Sequence, residues 1–239
     1  AQRVLGLAEG GRFSDKVTYI YRKQLEEADI IVINKCDLLA DEERVRLRSA
    51  LADAFPRKTI LEASARSGAG TQEWFTALTI TAQSGGTAMD VDYEVYAEGE
   101  ALLGWLNATV TLSNQKSFDG NQVIRDLADT LRRLLTEAGA EVAHLKMTLE
   151  PADAGLGDLA VINLVRNDFV PELSQELSDW LDAGKLIINC RAEGSPDVLN
   201  AALNTALTEV GKLHPNLFLR LEHLEHFRPG KPQPTHRDA

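Results

Sequence analysis

Residues 34–37, Asn-Lys-Cys-Asp, follow the apolar run Ile30-Ile31-Val32-Ile33, and Ser64-Ala65-Arg66 follows a second short run, Thr59-Ile60-Leu61-Glu62. An amide, an ammonium and a carboxylate within four residues can grip a flat, hydrogen-bonding ring. A carboxylate accepts two adjacent N–H donors as a fork, and both bonds are charge-assisted. Guanine offers such a pair, N1–H and N2–H₂, on one edge. Adenine has none, so a carboxylate placed for guanine rejects it by staying buried and unpaired. Asp37 is the candidate carboxylate. Asn34 would tie its loop together through the amide, and the apolar stem of Lys35 would lie over the face of the base. In the second loop the backbone N–H of Ala65 would meet the guanine carbonyl, and Ser64 would hold the turn.

Such loops need a scaffold that brings their strands side by side. Ser14 reads as the cap of a helix over 14–28, with Val17, Ile20, Tyr21 and Leu25 on one side. Residues 30–33 read as a buried parallel strand, 41–54 as a helix capped by Asp41, 59–62 as the next strand. Residues 71–80 read as a closing helix carrying Trp74, Phe75 and Leu78. This alternation predicts a parallel sheet. Both candidate loops then sit at the carboxyl ends of parallel strands, where open α/β sheets bind ligands.

The Asn-Lys-x-Asp pattern has the form of the guanine signature of GTPases. From Phe13-Ser14-Asp15-Lys16-Val17 through Gln24-Leu25-Glu26-Glu27-Ala28-Asp29 into Ile33-Asn34-Lys35-Cys36-Asp37-Leu38, the chain resembles the CobW/HypB/UreG family of metallochaperone-type GTPases. The resemblance covers roughly residues 10–80. It implies a P-loop NTPase fold, GTP with Mg²⁺ as the nucleotide, and a cytoplasmic setting. It also implies GTP-driven delivery of a metal such as zinc, nickel or cobalt, or of a metal cofactor, to a client metalloprotein or cofactor enzyme. The base-binding residues it implies are Asn34, Lys35, Asp37, Ser64 and Ala65.

One departure is decisive. No G-x-x-x-x-G-K-[ST] occurs in the 239 residues, and Gly10-Gly11-Arg12 lacks both the lysine and the hydroxyl. Without that loop nothing cradles the phosphates or presents Mg²⁺. The family's Mg²⁺ aspartate strand and its Cys-x-Cys-Cys motif are missing as well. The sequence therefore reads as the later part of a GTPase domain over 1–82, followed by a second domain. On this reading the chain alone is inactive, with no catalytic residue of its own. The rival reading is a non-enzymatic interaction module built on a half GTPase scaffold.

Charge separates the two parts. Residues 1–82 carry 12 Lys+Arg and 12 Asp+Glu, while 83–239 carry 13 and 24, so the whole net charge of −11 lies in the second part. An acidic domain repels nucleic acid and anionic membranes, and suits solubility or a basic partner. No run of 18 apolar residues predicts a membrane span. Two cysteines, Cys36 and Cys190, form no disulfide framework and suit a reducing compartment.

The small, polar stretch 83–90 reads as a linker, and 91–227 as an acidic α+β domain. There, Tyr93, Val95 and 102–112 read as strand, 119–138 as a helix stopped by Gly139, and 141–149 and 159–165 as strands. Pro171 opens a further helix to about 183, 185–191 is strand, Ser195-Pro196 opens a helix ending at Gly211, and 217–224 is the last strand. The order β-α-β-β-α-β with an extra pair predicts a ferredoxin-like unit whose open sheet face could dock a partner or a second copy. His223-Leu224-Glu225-His226 invites a metal reading. On a strand, however, residues three apart face opposite ways and chelate poorly. No metal ligands are therefore expected there, nor at Cys36, and His144 and His214 read as structural. Trp105 and Trp180 read as core. Residues 228–239 form a proline-rich tail of extended character.

Overall fold

A computed structural model describes residues 5–7, 13–80, 93–152 and 158–230. The chain is mixed α/β, with one small parallel sheet and one larger antiparallel sheet. It divides into two compact units, Ser14–Gly99 falling in the first and Glu100–Lys231 in the second. The expected linker at 83–90 lies outside the described residues, as do Gly10-Gly11-Arg12, His236 and most of the proline-rich tail.

The first unit follows the predicted alternation. Helix α1 (Asp15–Glu27) starts at Ser14, whose hydroxyl accepts from the N–H of Val17. Strands β1 (Ile30–Ile33) and β2 (Thr59–Glu62) pair in parallel, Ile30 opposite Thr59 and Ile33 opposite Glu62. Between them runs α2 (Asp41–Ala54). Its cap is Ala40 rather than Asp41. Alanine offers no side-chain acceptor, and Glu43 reaches back to take the Ala40 N–H at 3.2 Å. Ile31, Ile33, Leu47, Leu51, Phe55 and Ile60 form the core. Burial alternates along β1, with Ile30 and Val32 half-buried, where burial on both faces was expected.

Helix α3 (Thr71–Ile80) buries no residue. Phe75, Leu78 and Ile80 are exposed, although the ring of Phe75 stacks on Trp74 at 5.4 Å.

Residues 93–102 form a helix, α4 (Tyr93–Leu102), where a strand was expected. Only Tyr93 and Val95 alternate there, and the helix formers Ala97, Glu98, Glu100 and Ala101 outweigh them. Its Gly99 lies so close to α1 that a Cβ would stand 2.6 Å from the carbonyl oxygen of Lys16 and 2.8 Å from Cδ1 of Ile20.

The second unit is a six-stranded antiparallel sheet in the order β6-β5-β4-β7-β3-β8. Its strands are β3 (Leu103–Phe118), β4 (Glu141–Pro151), β5 (Ala160–Leu164), β6 (Glu172–Gln175), β7 (Leu181–Glu193) and β8 (Phe218–Phe227). Helix α5 (Gly120–Glu137) connects β3 to β4, and α6 (Pro196–Leu213) connects β7 to β8. Thus β7 separates β3 from β4, and β3 separates β7 from β8. The β5–β6 pair extends one edge.

Asp119 caps α5 by accepting from the Gln122 N–H, and Gly139 closes it at φ 70°. Ser195 caps α6 by accepting from the Val198 N–H, with Pro196 in the first turn. The spacing of Val123, Ile124, Leu127, Leu131 and Leu135 places all five on one buried stripe of α5. They meet Leu106, Val110, Leu112, Met147, Leu186 and Ile188 from one face of the sheet. Each such side chain contributes about 1.5–3 kcal/mol on burial.

Two further expectations change here. The helix expected over 171–183 is replaced by β6, a turn and the start of β7. Pro171 opens an edge strand, a position that tolerates its missing N–H. Trp180, expected in the core, is 67% exposed in that turn.

Candidate functional site

The carboxyl ends of β1 and β2 bring the two sequence motifs together. Ala63 donates its N–H to Ile33 O at 2.9 Å, and Cys36 donates to Ala63 O at 3.2 Å. The backbone then turns sharply. Lys35 takes the left-handed conformation, φ 59°, and a short 3-10 turn covers Cys36–Leu38. The Asn34 side chain fixes this geometry. Its Oδ1 accepts from Lys35 N at 2.7 Å and from Ala65 N at 3.3 Å. The amide therefore ties both its own loop and the second one, a wider role than the sequence suggested. The Ala65 N–H, expected on a base carbonyl, points to Asn34 in this structure.

Ser64 is fully buried, and its Oγ accepts from the N–H of Ser67 at 3.2 Å. Its hydroxyl also donates to Asp37, and this bond is the main cause that holds the Asp37 carboxyl below its usual range. Desolvation opposes the shift, and the cations of Arg66 and Lys35 add to it. Asp37 itself is exposed. The site thus presents an ionised carboxylate, oriented by a buried hydroxyl, beside two cations. The thiol of Cys36, between them, points inward and is buried.

Gly68 and Gly70 shape the second loop at φ 79° and 71°. At Gly70 a Cβ would lie 2.0 Å from Glu62 O, so the turn into α3 admits only glycine. The Glu62 carboxylate at the end of β2 is held by Arg44 at 3.1 Å and Arg48 at 3.4 Å. These two arginines on α2 gave no sequence signal, because their partner lies on another element.

The histidines disperse. His223 lies in register with Thr109, on the sheet face away from the helices, whereas His226 lies in register with the buried Leu106. The His226 Nδ1 stands 3.8 Å from Asp197 Oδ1 on α6. His214 Nε2 meets Asp126 at 2.7 Å across α6 and α5. Among the described residues no group of three or more His, Cys, Asp or Glu is placed to hold a metal ion. Among them, too, no helix is long and apolar enough to cross a membrane.

No known protein family matches the chain, and no curated protein does. Among solved structures, two Zn(II)-bound forms of YjiA GTPase are similar, one a triple mutant and the other described as from E. coli. The first has 13% identity and a TM-score of 0.24, the second 13% and 0.22. Each comparison covers 77% of this chain and 54% of the other, so the chain spans about half the length of those proteins.

Proposed function

We propose that the first unit is the guanine-recognition part of a GTP-binding protein of the CobW/HypB/UreG type. Asp37 reads the N1–H and N2–H₂ edge, Lys35 covers the base, and Asn34, Ser64 and Ala65 hold and complete the pocket. The observation that carries this reading is the pair of hydrogen bonds that Asn34 Oδ1 accepts, one from each loop, next to a carboxylate that accepts from the Ser64 hydroxyl. A planar base set against Asp37 would sit between the two loops.

In the complete protein, GTP bound with Mg²⁺ would be hydrolysed, and the cycle would load or release a metal or metal cofactor for a client. The phosphate cradle is not among these 239 residues, so this chain supplies base choice and not turnover. The strand order of the second unit, with β7 set between β3 and β4 and β3 between β7 and β8, supports a ferredoxin-like arrangement extended by β5 and β6. We propose this unit as the client-facing module.

Nuclear magnetic resonance titration of the chain with GMP and AMP tests base recognition without any turnover. GMP should shift the amides of Lys35, Asp37 and Ala65, and AMP should not. Equal shifts with both nucleotides, or shifts that persist in Asp37→Ala, would overturn the assignment.

A further inference from the structure

Strand β8 forms one edge of the six-stranded sheet, and among the described residues no strand pairs with its outer side. Unpaired N–H and C=O groups along such an edge are a template for another strand. The opposite edge is protected. There β6 runs for only four residues and follows Pro171, which has no N–H. Strand β8 runs for ten residues without a proline. Read inward from its two ends, its sequence matches Phe218 with Phe227, Leu219 with His226, Arg220 with Glu225, Leu221 with Leu224 and Glu222 with His223. Rings match rings, leucine matches leucine, and a cation matches an anion.

A bulge makes this mirror usable. In a regular strand Phe218 and Phe227 would face opposite ways. The register with β3 shifts between Thr109, opposite His223, and Val110, opposite Leu221, so Glu222 is the extra residue. Phe218, Arg220, His223, Glu225 and Phe227 therefore share the sheet face away from α5 and α6. Leu219, Leu221, Leu224 and His226 share the other face, in register with the buried Leu112, Val110, Ala108 and Leu106. Exposure follows the same mirror, the first set being exposed and the second half-buried. Phe227 stands 5.7 Å from the ring of Trp105, which its register puts on the open face and not in the core, where it was expected.

From this matching we infer that β8 pairs antiparallel with β8 of a second copy of the chain, about a two-fold axis normal to the sheet at His223. Such an axis sets each ladder position against its mirror position, with both side chains on one face. On the open face Phe218 meets Phe227 of the second copy and Arg220 meets Glu225, each contact occurring twice. On the helix face Leu221 meets Leu224. The two sheets of six strands become one. Charge and shape choose this register over its neighbours. A slide of two positions one way sets Phe218 against Glu225 and Arg220 against His223. The same slide the other way sets Arg220 against Phe227 and leaves Phe218 unpaired. Within its own strand Arg220 holds Glu222 at 2.5 Å, an exposed bond of small weight that does not compete strongly. This inference does not depend on base recognition by the first unit.

Analytical ultracentrifugation of the full chain tests it. Across about 1–200 µM the chain should pass from monomer to dimer, with the modest affinity of an interface smaller than the standard size. Arg220→Glu and Glu225→Arg should each weaken the dimer by about tenfold or more, because like charges then face each other at two places. An equimolar mixture of the two variants should restore it, since every opposed pair is again of opposite sign. Lys146→Glu, on β4 and three strands from the edge, should change nothing. Amide exchange on the unaltered chain gives a second reading that needs no variant. Amides within 218–227 should exchange more slowly as concentration rises, and those of β6 should not. A chain that stays monomeric, a dimer indifferent to both variants, or a mixture that stays dissociated would each overturn the inference. So would β8 amides equally protected at every concentration, which would mean that the chain's own tail or another segment of it covers the edge.

Discussion

The side-chain oxygen of Asn34 accepts from the backbone N–H of Ala65 at 3.3 Å, joining loops 31 residues apart in the chain. One side chain thus sets the distance between the residue that would read the base edge and the loop that would meet its carbonyl. Asn34→Ala removes this bond and the one from Lys35 N. Each net hydrogen bond contributes about 1 kcal/mol. Amide exchange at Ala65 should accelerate by several-fold, while exchange in α5 stays unchanged. Unaltered exchange at Ala65 would show that the loops are held by other means.

On the proposed reading, Asp37 sets base choice. In a protein that includes the phosphate cradle, Asp37→Asn should move preference from GTP toward XTP, because the amide can donate to the second carbonyl of xanthine. The hydrogen bond from Ser64 lowers the Asp37 pKa below the ordinary 3.8. A lowered pKa keeps the carboxylate charged further into acid, so discrimination should not fade between pH 7 and pH 4. Competition binding with GTP and XTP between pH 4 and 7 checks both statements. An unchanged GTP preference in Asp37→Asn would remove Asp37 from the base.

The chain itself should turn over no GTP. Charge-assisted bonds to the base supply about 1.5–3 kcal/mol each before the costs of association. That limits affinity to about millimolar. Phosphate release above background that disappears in Asp37→Ala would contradict the assignment.

Gly70→Ala probes the turn that presents the second loop. A Cβ there would meet Glu62 O at 2.0 Å, at a φ that alanine adopts only under strain. The turn must open, at a cost of about 2 kcal/mol or more. Denaturant unfolding should show the loss in the first unit. Gly68 has a similar positive φ and open space around it, so Gly68→Ala should cost less. Equal costs would mean that crowding by Glu62 plays no part.

The first unit was legible where short-range chemistry decides. Ser14, the β-branched run 30–33 and the Asn-Lys-x-Asp turn specify themselves locally. Helix α5 was equally clear, because its apolar period runs unbroken from Val123 to Leu135. Failures came where neighbours decide. Pro171 fits a helix start and an edge strand equally, and only the sheet settles the choice. Trp105 has core composition, yet its register puts it on the open face. That face could not be read from the sequence, since His144, Arg191 and Trp105 come side by side only after β4, β7 and β3 pair.

The pairing of α1 with α4 predicts where the chain can be cut. Val17 and Ile20 are almost wholly buried, and Gly99 lets the backbone of α4 approach Lys16 and Ile20 closely. Glu98 pairs with Lys16 at 2.5 Å on the same contact, an exposed bond of small weight. Burial of the Ile20 side chain is the larger effect, about 1.5–3 kcal/mol at most. A chain ending at 82 loses α4 and uncovers Ile20, whereas one ending at 99 keeps the first seven residues of that helix, Tyr93 to Gly99. Residues 100–239 retain the whole core beneath α5 and α6. That piece should stay soluble and melt in one cooperative step. Residues 1–82 should aggregate, and 1–99 should be more soluble and richer in helix. Light scattering and a thermal melt of the three pieces decide the matter. If 1–82 behaves as well as 1–99, α4 contributes nothing to the first unit. If 100–239 fails to melt cooperatively, the second unit does not fold alone.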